Sequence, residues 1–282
     1  MAERPRLGEL LLGTAGLALM RQAYDGDEAA RHARVAEMRG LLDRYDGDTG
    51  LLAPLPGSER DLDSGYALWS QTYDGPMRLL TVEEPAMHGL FDRLPPRCNV
   101  LDAACGTARH GAQLAARGHR VTGVDRSGDM LAVARAKLPD AVFHQGDLEA
   151  LPVADATFDS VVCGLALVHL PRLERAMAEF ARVLRPGGRL IVSDVHPMPI
   201  MVGWQAQFRG ADGEAAFIRL HPHLLSEYIA AAEGAGLRVA ACREPALTEL
   251  SVVTPASEHL PQANRAAWVG LPGVVVWAFD RG

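Results

Sequence analysis

The chain has 282 residues, 48% of them hydrophobic, and a mean hydropathy of +0.01, so it is long enough to bury one sizeable core. Its net charge of −7 and pI near 5.8, with no lysine- or arginine-rich run, argue against a nucleic-acid partner, which would need a dense basic face. The four cysteines lie far apart without CxxC spacing, which is typical of reduced residues in a cytoplasmic protein. The apolar run at 7–20 is interrupted by Glu9 and too short to span a bilayer, so we expect neither a membrane segment nor a secretion signal.

The first part of the chain has the spacing of helices. Residues 7–44 carry apolar side chains at helical intervals, and Gly26 and Asp27 break the run, which predicts two helices. The stretch 46–62 is rich in turn-forming residues and is typical of a linker. We therefore predict a helical N-terminal extension over residues 1–60.

The next stretch, 66–76, spaces three aromatic residues three and four positions apart, as a helix would. This helix either packs its rings on the core or forms a lid whose Tyr66 or Tyr73 hydroxyl reaches a ligand. A further helix over 82–94 is predicted to end at a proline pair, because proline cannot continue a helix. Residues 61–95 are thus predicted to be a helical lid segment.

From residue 98 onward, strand and helix patterns alternate. The predicted strands are 98–103, 120–125, 141–145, 159–164, 188–195, 236–243 and 273–280. The predicted helices between them are 107–117, 127–137, 172–184 and 223–233. Right-handed crossovers between the first five strands demand a parallel, doubly wound α/β sheet. A proline-bearing connection without a clear helical pattern precedes the seventh strand, which is therefore expected to run antiparallel.

Residues 100–110, VLDAACGTARH, predict a buried strand that ends in Asp102, a turn of small residues and the start of a helix. Small residues let the backbone approach a ligand closely, and a helix start offers unpaired N–H groups to an anion. A second strand ends in Asp125, 23 residues later (125 minus 102), which fits a βαβ unit whose second acid holds ribose hydroxyls. The segment is a predicted nucleoside-binding turn.

The whole pattern resembles the class I S-adenosylmethionine (SAM)-dependent methyltransferases, in particular the small-molecule branch with ubiquinone- and menaquinone-type enzymes. The resemblance covers residues 66–243 and rests on five segments in order: LDAACGTARH, VTGVDRSGDML, FHQGDLEALP, FDSVVCGLALVHL and VLRPGGRLIVSD. The family usually has glycine at the positions of Ala104 and Ala108, and this chain keeps only Gly106. The NAD fingerprint G-x-G-x-x-G would place its last glycine at Arg109, which disfavours NAD.

The resemblance implies a Rossmann-like domain over 96–282 that binds SAM and releases S-adenosylhomocysteine, with no metal. Asp125 would accept hydrogen bonds from both ribose hydroxyls, unless it only caps a helix. In the segment 146–148, Asp147 matches the family's contact to the adenine amino group. Met130 and the following Leu148 would cover the faces of the adenine ring, unless Met130 is ordinary core.

At the amino-acid tail of the cofactor, the resemblance places the ammonium group near the backbone carbonyls of Ala103 or Gly164. Asp102 would assist there, unless it only caps the turn. Arg109 would pair with the tail carboxylate or else lie solvated. The full set predicted to bind the cofactor is Asp102, Ala103, Ala104, Gly106, Arg109, Asp125, Arg126, Met130, Gly146, Asp147, Leu148, Gly164, Tyr66 and Tyr73.

Methyl transfer chiefly needs an aligned nucleophile and the exclusion of water, and it needs a base only for a hydroxyl or carbon-acid acceptor. His169, just past the fourth predicted strand, is the first candidate for base or substrate orienter, or it only caps the next helix. His196 is the second candidate, at the end of the fifth strand. Asp194, at the same end, is the third, with loop ordering as its alternative.

An insertion at 196–222 follows the fifth strand, at the sheet edge where loops cover the ligand crevice of open α/β folds. It is predicted to form a cap over the methyl acceptor, with a flap packed on the core or on a second subunit as the alternative. The candidate acceptor-binding residues are Trp204, Phe208, Arg209, Arg219 and His221. The segment after the fourth strand lacks the N/D-P-P-Y/F motif of enzymes that methylate adenine or glutamine amides, which disfavours those acceptors.

The predicted function is therefore a cytoplasmic methyltransferase that moves a methyl group from SAM to an oxygen, nitrogen or carbon atom of a small metabolite, such as a secondary metabolite or a quinone-like ring. Two alternatives stay open: a SAM-binding cyclase or other non-methylating enzyme on the same fold, and a non-catalytic binding subunit. The expected partner is a small-molecule methyl acceptor, with no nucleic acid and no membrane, and a homodimer is left open.

Overall fold

The computed structural model describes residues 4–282, so residues 1–3 of the predicted extension 1–60 lie outside the described residues. In chain order the helices are α1 (Leu7–Asp25), α2 (Glu28–Arg44), α3 (Leu62–Trp69), α4 (Leu80–Phe91), α5 (Arg109–Ala116), α6 (Gly128–Lys137), α7 (Glu174–Val183), α8 (Pro197–Met201), α9 (Leu225–Gly234), α10 (Ala256–His259) and α11 (Pro261–Trp268). The strands are β1 (Ser58–Arg60), β2 (Asn99–Ala103), β3 (Arg120–Asp125), β4 (Val142–Gln145), β5 (Phe158–Gly164), β6 (Leu184–Val195), β7 (Ala206–Arg209), β8 (Ala215–Ile218), β9 (Leu237–Arg243) and β10 (Val274–Arg281). A 3-10 turn covers Leu167–His169.

The chain divides into two compact units. The first unit takes residues up to 56 together with 78–82 and 246–271, and the second takes 57–77, 83–245 and 272–282. Within residues 4–282, no helix has both the length and the apolar character needed to cross a membrane.

The second unit contains a seven-stranded sheet in the order β4-β3-β2-β5-β6-β10-β9. The first five of these strands run parallel, and β10 pairs antiparallel with both β6 and β9. The predicted doubly wound α/β fold with seven strands and an antiparallel last strand is therefore confirmed. Because β2 has β3 on one side and β5 on the other, the strand order reverses at β2, and ligands of such sheets bind at this point.

The sheet is apolar along its central strands because helices cover both of its faces. Val161 on β5 and Trp277 on β10 belong to the same buried cluster as Phe180 on α7. Helix α7 contributes one apolar stripe to this cluster, with Ala176, Met177 and Phe180 at the spacing of a single helix face. The resulting rigid core holds the carboxyl ends of the parallel strands in fixed positions.

A second, three-stranded sheet in the same unit was not predicted. Its order is β1-β8-β7, with β1 parallel to β8 and β7 antiparallel to it. The residues 58–60, expected to be linker, thus form an edge strand, and the insertion 196–222 supplies the hairpin. Arg219 holds the pairing by donating two hydrogen bonds to Glu59, at 2.8 and 2.7 Å.

The first unit is helical. Asp27 is the N-cap of α2, and its carboxylate accepts a hydrogen bond from the Ala30 N–H. A new helix therefore begins after the break at Gly26 and Asp27, which confirms the two predicted helices. The connection 246–271, which showed no clear helical pattern, forms α10 and α11. The Arg21 guanidinium of α1 donates to the carbonyls of Ala266, Ala267 and Val269 at the end of α11, at 2.9 to 3.0 Å, where orphan carbonyls favour a cation.

Candidate functional site

The turn between β2 and α5 has an unusual backbone. Ala104, Gly106 and Ala108 all have left-handed conformations, with φ angles of 55°, 52° and 60°. A residue with a Cβ atom is disfavoured there, whereas glycine adopts this conformation freely. The two alanines therefore occupy positions where the backbone itself favours glycine, and such strain concentrates at ligand-binding sites.

Asp125, at the end of β3, holds this turn in place. One carboxylate oxygen accepts the Gly106 N–H at 2.8 Å, and the other accepts the Ser127 N–H at 2.8 Å. Ser127, rather than Asp125, caps α6 by accepting the Met130 N–H. Burial raises the pKa of Asp125 above its usual range. Since each carboxylate oxygen has a further lone pair, Asp125 retains capacity for two ligand hydroxyls.

A pocket opens at the carboxyl ends of β2, β3, β4 and β5, and the space among its lining residues, including the part open to solvent, is about 640 Å³. The lining consists of Leu62, Tyr66, Tyr73, Ala104, Gly106, Asp125, Arg126, Met130, Gly146, Asp147, Leu148, Gly164, Leu165, Ala166, His169 and Leu170.

Most of the sequence-predicted residues meet in this pocket. The predicted cofactor residues that line it are Tyr66, Tyr73, Ala104, Gly106, Asp125, Arg126, Met130, Gly146, Asp147, Leu148 and Gly164. Of the three catalytic candidates, His169 lines it. The predicted residues that do not line it are Asp102, Ala103, Arg109, Asp194, His196, Trp204, Phe208, Arg209, Arg219 and His221. The roles assigned to all of these residues stay predictions.

The segment after β4 begins with Gly146, which lines the pocket. A Cβ atom there would lie 2.5 Å from the Pro152 ring, so the backbone requires glycine. The next residue, Asp147, accepts the Glu149 N–H at 2.9 Å and lies 3.8 Å from the Arg126 guanidinium. Arg126 in turn pairs with Asp63 of α3 at 2.8 Å, which holds α3 at this side of the pocket.

Asp102 is buried below the turn. Its carboxylate accepts the Gly111 N–H in the first turn of α5 at 2.8 Å, and burial raises its pKa to about 6. It thus binds the backbone at the start of α5, while its predicted assistance to the ammonium group, or its alternative as an acid that only caps the turn, stays a prediction. Its neighbour Ala103 is fully buried. Asp102 contributes negative charge close to the pocket without reaching its surface.

Arg109 is neither solvated nor free. Its guanidinium donates to Glu83 at 2.8 Å and to Glu84 at 3.1 Å. Glu83, fully buried on α4, also accepts from the Ser193 hydroxyl at 2.6 Å and lies 3.0 Å from His110 Nε2. These opposite charges outweigh the effect of burial and lower the pKa of Glu83 to about 2, so it stays ionised.

The buried Glu83 cluster touches the pocket through Gly164. A Cβ atom on Gly164 would lie 2.5 Å from His110 Nε2, so only glycine leaves room for that ring. Sequence reasoning missed Glu83, because an acid in a predicted helix most often faces solvent. The neighbouring acids at 83 and 84 also gave no indication that one of the two side chains is buried.

His169, in the 3-10 turn after β5, meets the lid segment. Its Nε2 lies 2.8 Å from the Tyr66 hydroxyl of α3, and the two rings are edge to face. Burial lowers the pKa of His169 to about 4, so its ring is neutral at pH 7. Leu173 rather than His169 is the N-cap of α7, which removes the capping alternative.

The aromatic residues of 66–76 form one array. Tyr66 stacks with Trp69, and Tyr73 meets Trp69 edge to face. Burial raises the pKa of Tyr73 to about 12, so its hydroxyl keeps its proton. Both tyrosines line the pocket and also pack on each other. The predicted helix over 66–76 is wrong in its second half, because α3 ends at Trp69 and Tyr73 lies in the turn that follows. A contact of either hydroxyl with a ligand stays a prediction.

The other two catalytic candidates lie elsewhere. His196 Nε2 is 3.0 Å from the Glu244 carboxylate, and its Nδ1 accepts the Met198 N–H, which caps α8. Asp194 is fully buried and accepts the Tyr228 hydroxyl at 2.7 Å. Burial raises the pKa of Asp194 to about 7.

The insertion contacts the lid segment rather than the pocket surface. Phe208 of β7 stacks on Trp69 with ring centroids 4.6 Å apart. The other predicted acceptor residues make local contacts: Arg219 with Glu59, Arg209 with the Gly213 carbonyl, the Trp204 N–H with the Pro199 carbonyl, and the His221 ring with His223. In the described part of the chain, no group of three or more His, Cys, Asp or Glu side chains is placed to hold a metal ion.

Residues 101–192 match a family model described as a methyltransferase domain. Among curated relatives, the demethylmenaquinone methyltransferase of Chlorobaculum parvum is 44% identical over 90 residues, which are 32% of this chain and 37% of the relative. The corresponding enzyme of Listeria welshimeri is 38% identical over 125 residues, 41% of this chain and 52% of the relative. The chain thus spans about half or less of the length of the curated relatives it matches.

Solved structures agree on the fold. A SAM-dependent methyltransferase from Mesorhizobium loti superposes with a TM-score of 0.55 at 22% identity, covering 74% of this chain and 99% of that one. At such identity the likeness concerns the fold alone. With the sheet order, the turn after β2 and the structural likeness taken together, the chain has the fold of the SAM-dependent methyltransferases, and its residues 101–192 match the methyltransferase domain model.

Proposed function

We propose that this protein transfers a methyl group from SAM to a small molecule bound in the pocket at the carboxyl ends of β2 to β5. The observation that carries the proposal is Asp125. It is buried at the end of β3, fixes the strained turn after β2 with one oxygen, and lines the pocket beside Met130. A carboxylate in this position suits the two hydroxyls of a ribose.

The lining residues fit the other parts of SAM. Met130 and Leu148 offer apolar surface to a planar ring, beside the backbone of Gly146. Asp125 and Asp147 give the pocket acidic groups that complement a cationic ligand. SAM, when bound, supplies a methyl carbon already activated by its sulfonium. The chain therefore has to bind and orient the two partners and exclude water.

The acceptor is proposed to lie on the β5 side of β2. The lining residues there are Tyr66 and Leu62 from α3, and Leu165, Ala166, His169 and Leu170 after β5. They are apolar apart from the Tyr66 hydroxyl and the neutral His169, so they suit an uncharged planar molecule. The demethylmenaquinone methyltransferases among the relatives support a quinone-like acceptor.

The experiment is to incubate the protein with methyl-labelled SAM and demethylmenaquinone, and in parallel with a small-molecule extract of the source organism. Mass spectrometry then searches for labelled products. We expect a labelled small molecule in at least one of the two reactions. The Asp125→Ala variant is the control, since it should lose the label in step with its loss of SAM affinity.

One structural neighbour, the [4+2]-cyclase SpnF, superposes with a TM-score of 0.54 at 18% identity, covering 80% of this chain and 99% of that one. The fold therefore does not fix the reaction. Tight SAM binding with turnover of an extract component, but without consumption of SAM, would replace methyl transfer by a reaction of that kind. Absence of SAM binding at micromolar concentrations would contradict both.

A further inference from the structure

Leu165 combines a strained backbone with a large apolar side chain in the lining of the pocket. Within residues 4–282, five residues other than glycine have a left-handed backbone. Arg97 and Ala156 are exposed, and Ala104 and Ala108 belong to the turn after β2. The fifth is Leu165, which directly follows β5, has a φ of 54° and lines the pocket. A bulky side chain is rare in this conformation, because its Cβ atom crowds the following carbonyl.

The backbone is fixed on both sides of Leu165, which explains why the strained conformation persists. The Leu165 N–H donates to the Ser193 carbonyl at 2.8 Å, next to the pairing of β5 with β6. Gly164, before it, is packed so closely on His110 that a Cβ atom would lie 2.5 Å from the ring nitrogen. The residues after it enter the 3-10 turn that contains His169. The chain therefore has to change direction at Leu165.

The change of direction does not require a leucine. Glycine adopts a left-handed backbone freely, and asparagine adopts it more readily than most residues with a side chain. The side chain also lies outside the main buried cluster, to which Leu167 and Leu170 belong. Leu165 is half-buried, so part of its surface is accessible. Because strained residues persist where a ligand-binding site needs them, contact with a bound molecule explains this leucine better than packing does.

The position of Leu165 in the lining indicates which molecule it would contact. It follows Gly164, a predicted cofactor residue, and it precedes Ala166 and His169 on the proposed acceptor side. The residues that line this side carry no charge at pH 7, because burial lowers the pKa of His169 to about 4. A charged group placed against Leu165 would lose its water without gaining an ionic partner, whereas an uncharged ring would not incur this cost.

We propose that Leu165 is a specificity-determining residue for the methyl acceptor, because its side chain presents an apolar surface to an uncharged ring beside the attacked atom. The proposal rests on the proposed function and narrows its substrate class. An acceptor with a carboxylate or an ammonium group next to the attacked atom is disfavoured. Leu165 takes no part in the chemistry, so its replacement should weaken acceptor binding and leave cofactor binding unchanged.

An uncharged planar probe tests the proposal before the acceptor is known. The probe is 1-naphthol, titrated by calorimetry into protein saturated with S-adenosylhomocysteine, so that the cofactor side is filled. Leu165→Asn suits the left-handed backbone but replaces the apolar surface by an amide, and it should lose about tenfold or more in affinity for 1-naphthol. Leu165→Met keeps an apolar side chain of similar volume and should stay within about threefold of the wild type. Ala156→Gly, at a left-handed residue outside the pocket lining, is the control and should match the wild type.

Thermal unfolding separates this role from packing. Leu165→Asn relieves backbone strain and removes no member of the main buried cluster, so its melting temperature should stay within about 4 °C of the wild type. A larger fall would show that the side chain serves the stability of the fold, and it would overturn the proposal. Equal affinities of the wild type and Leu165→Asn for 1-naphthol, or no binding to the wild type at millimolar concentration, would also overturn it.

The proposed function fails in a different way. A wild type that does not bind S-adenosylhomocysteine contradicts methyl transfer, and 1-naphthol titrated alone then still tests Leu165. Once a labelled product is in hand, Leu165→Asn should raise the KM of the acceptor about tenfold and leave kcat within about threefold of the wild type. A fall in kcat with an unchanged KM would contradict a role in acceptor binding.

Discussion

The two sides of the pocket are built in different ways. On the proposed cofactor side, the ends of β2, β3 and β4 supply the strained turn, Asp125 and Asp147, so sheet pairing places each group. On the proposed acceptor side, the Tyr66 hydroxyl comes from α3 and meets His169 after β5 through packing between segments. Because strand topology places the residues at the ends of β2, β3 and β4, their positions can be predicted from the sequence. The contact between Tyr66 and His169 depends on packing between distant segments, and the sequence does not predict it.

The largest expected effect concerns the buried charges below the cofactor side. Glu83→Gln should lower the free energy of unfolding by about 3–5 kcal/mol, because it leaves Arg109 and His110 without their buried partner. Urea unfolding at pH 7 measures the change. Glu84→Gln is the matched control, since Glu84 is partly exposed and its pair with Arg109 should contribute at most about 1 kcal/mol.

The same substitution has a defined pH dependence. The pKa of Glu83 is lowered to about 2 from an ordinary value of 4.5, so its contribution to stability is complete above pH 4.5 and is lost as the pH falls towards 2. The free energies of unfolding of Glu83→Gln and Glu84→Gln should therefore converge in strongly acidic buffer. Equal effects of the substitutions at 83 and 84 at pH 7 would show that the buried Glu83 contributes no more to stability than the partly exposed Glu84.

The next effect tests the cofactor side directly. Asp125→Ala should weaken SAM binding by about 2–3 kcal/mol, because two ribose hydroxyls lose a charged partner. Isothermal titration calorimetry measures it. Asp63→Ala serves as the control, since Asp63 is exposed and pairs with Arg126 at the edge of the pocket, and it should change the affinity by less than about 1 kcal/mol. A shift of a few tenths of a kcal/mol for Asp125→Ala would mean that the ribose lies elsewhere.

A third prediction concerns Asp194, a catalytic candidate that lies outside the pocket lining. Its pKa is raised to about 7 in the folded protein, so the wild type loses stability as the pH rises from the ordinary value of 3.8 through 7. Asp194→Asn cannot ionise and should be stabilising relative to the wild type, by about 1–3 kcal/mol more at pH 8 than at pH 5. Thermal unfolding at the two pH values measures this. A difference that is independent of pH would show that Asp194 stays ionised, as a base would.

The smallest effect tests the strain in the turn. Ala104→Gly removes a Cβ atom from a left-handed backbone, which offsets the usual cost of glycine, so the stability should rise or stay within about 1 kcal/mol of the wild type. Ala112→Gly, in the interior of α5, should cost about 1 kcal/mol. Chemical denaturation of both variants compares them. An equal loss would mean that the turn is not strained.

Much of the fold could be predicted because local patterns and sheet rules agree. The seven strands, their parallel order and the antiparallel β10 follow from alternating strand and helix patterns. The missed elements are short or broken by proline: β7 and β8 have four residues each, and Pro255 and Pro261 interrupt the stretch that forms α10 and α11. Periodicity over so few residues does not distinguish a helix or a strand from a loop.

The residues of the candidate site also differ in how well the sequence predicts them. Asp125 and Gly146 stand at strand ends, so the sequence already indicated them. The pair of Tyr66 and His169 is 103 residues apart and arises only from tertiary packing, as does the burial of Glu83. A buried acid that pairs with distant cations looks like any surface acid in the sequence, and no spacing rule predicts it.

Hydrogen–deuterium exchange with S-adenosylhomocysteine would report where the ligand binds along the whole chain. We expect protection in the peptides that cover 104–108, 125–130 and 146–148, and in the α3 segment with Tyr66, while the hairpin of β7 and β8 exchanges as before. Protection confined to the hairpin, or none at saturating ligand, would contradict the placement of the cofactor at the strand ends.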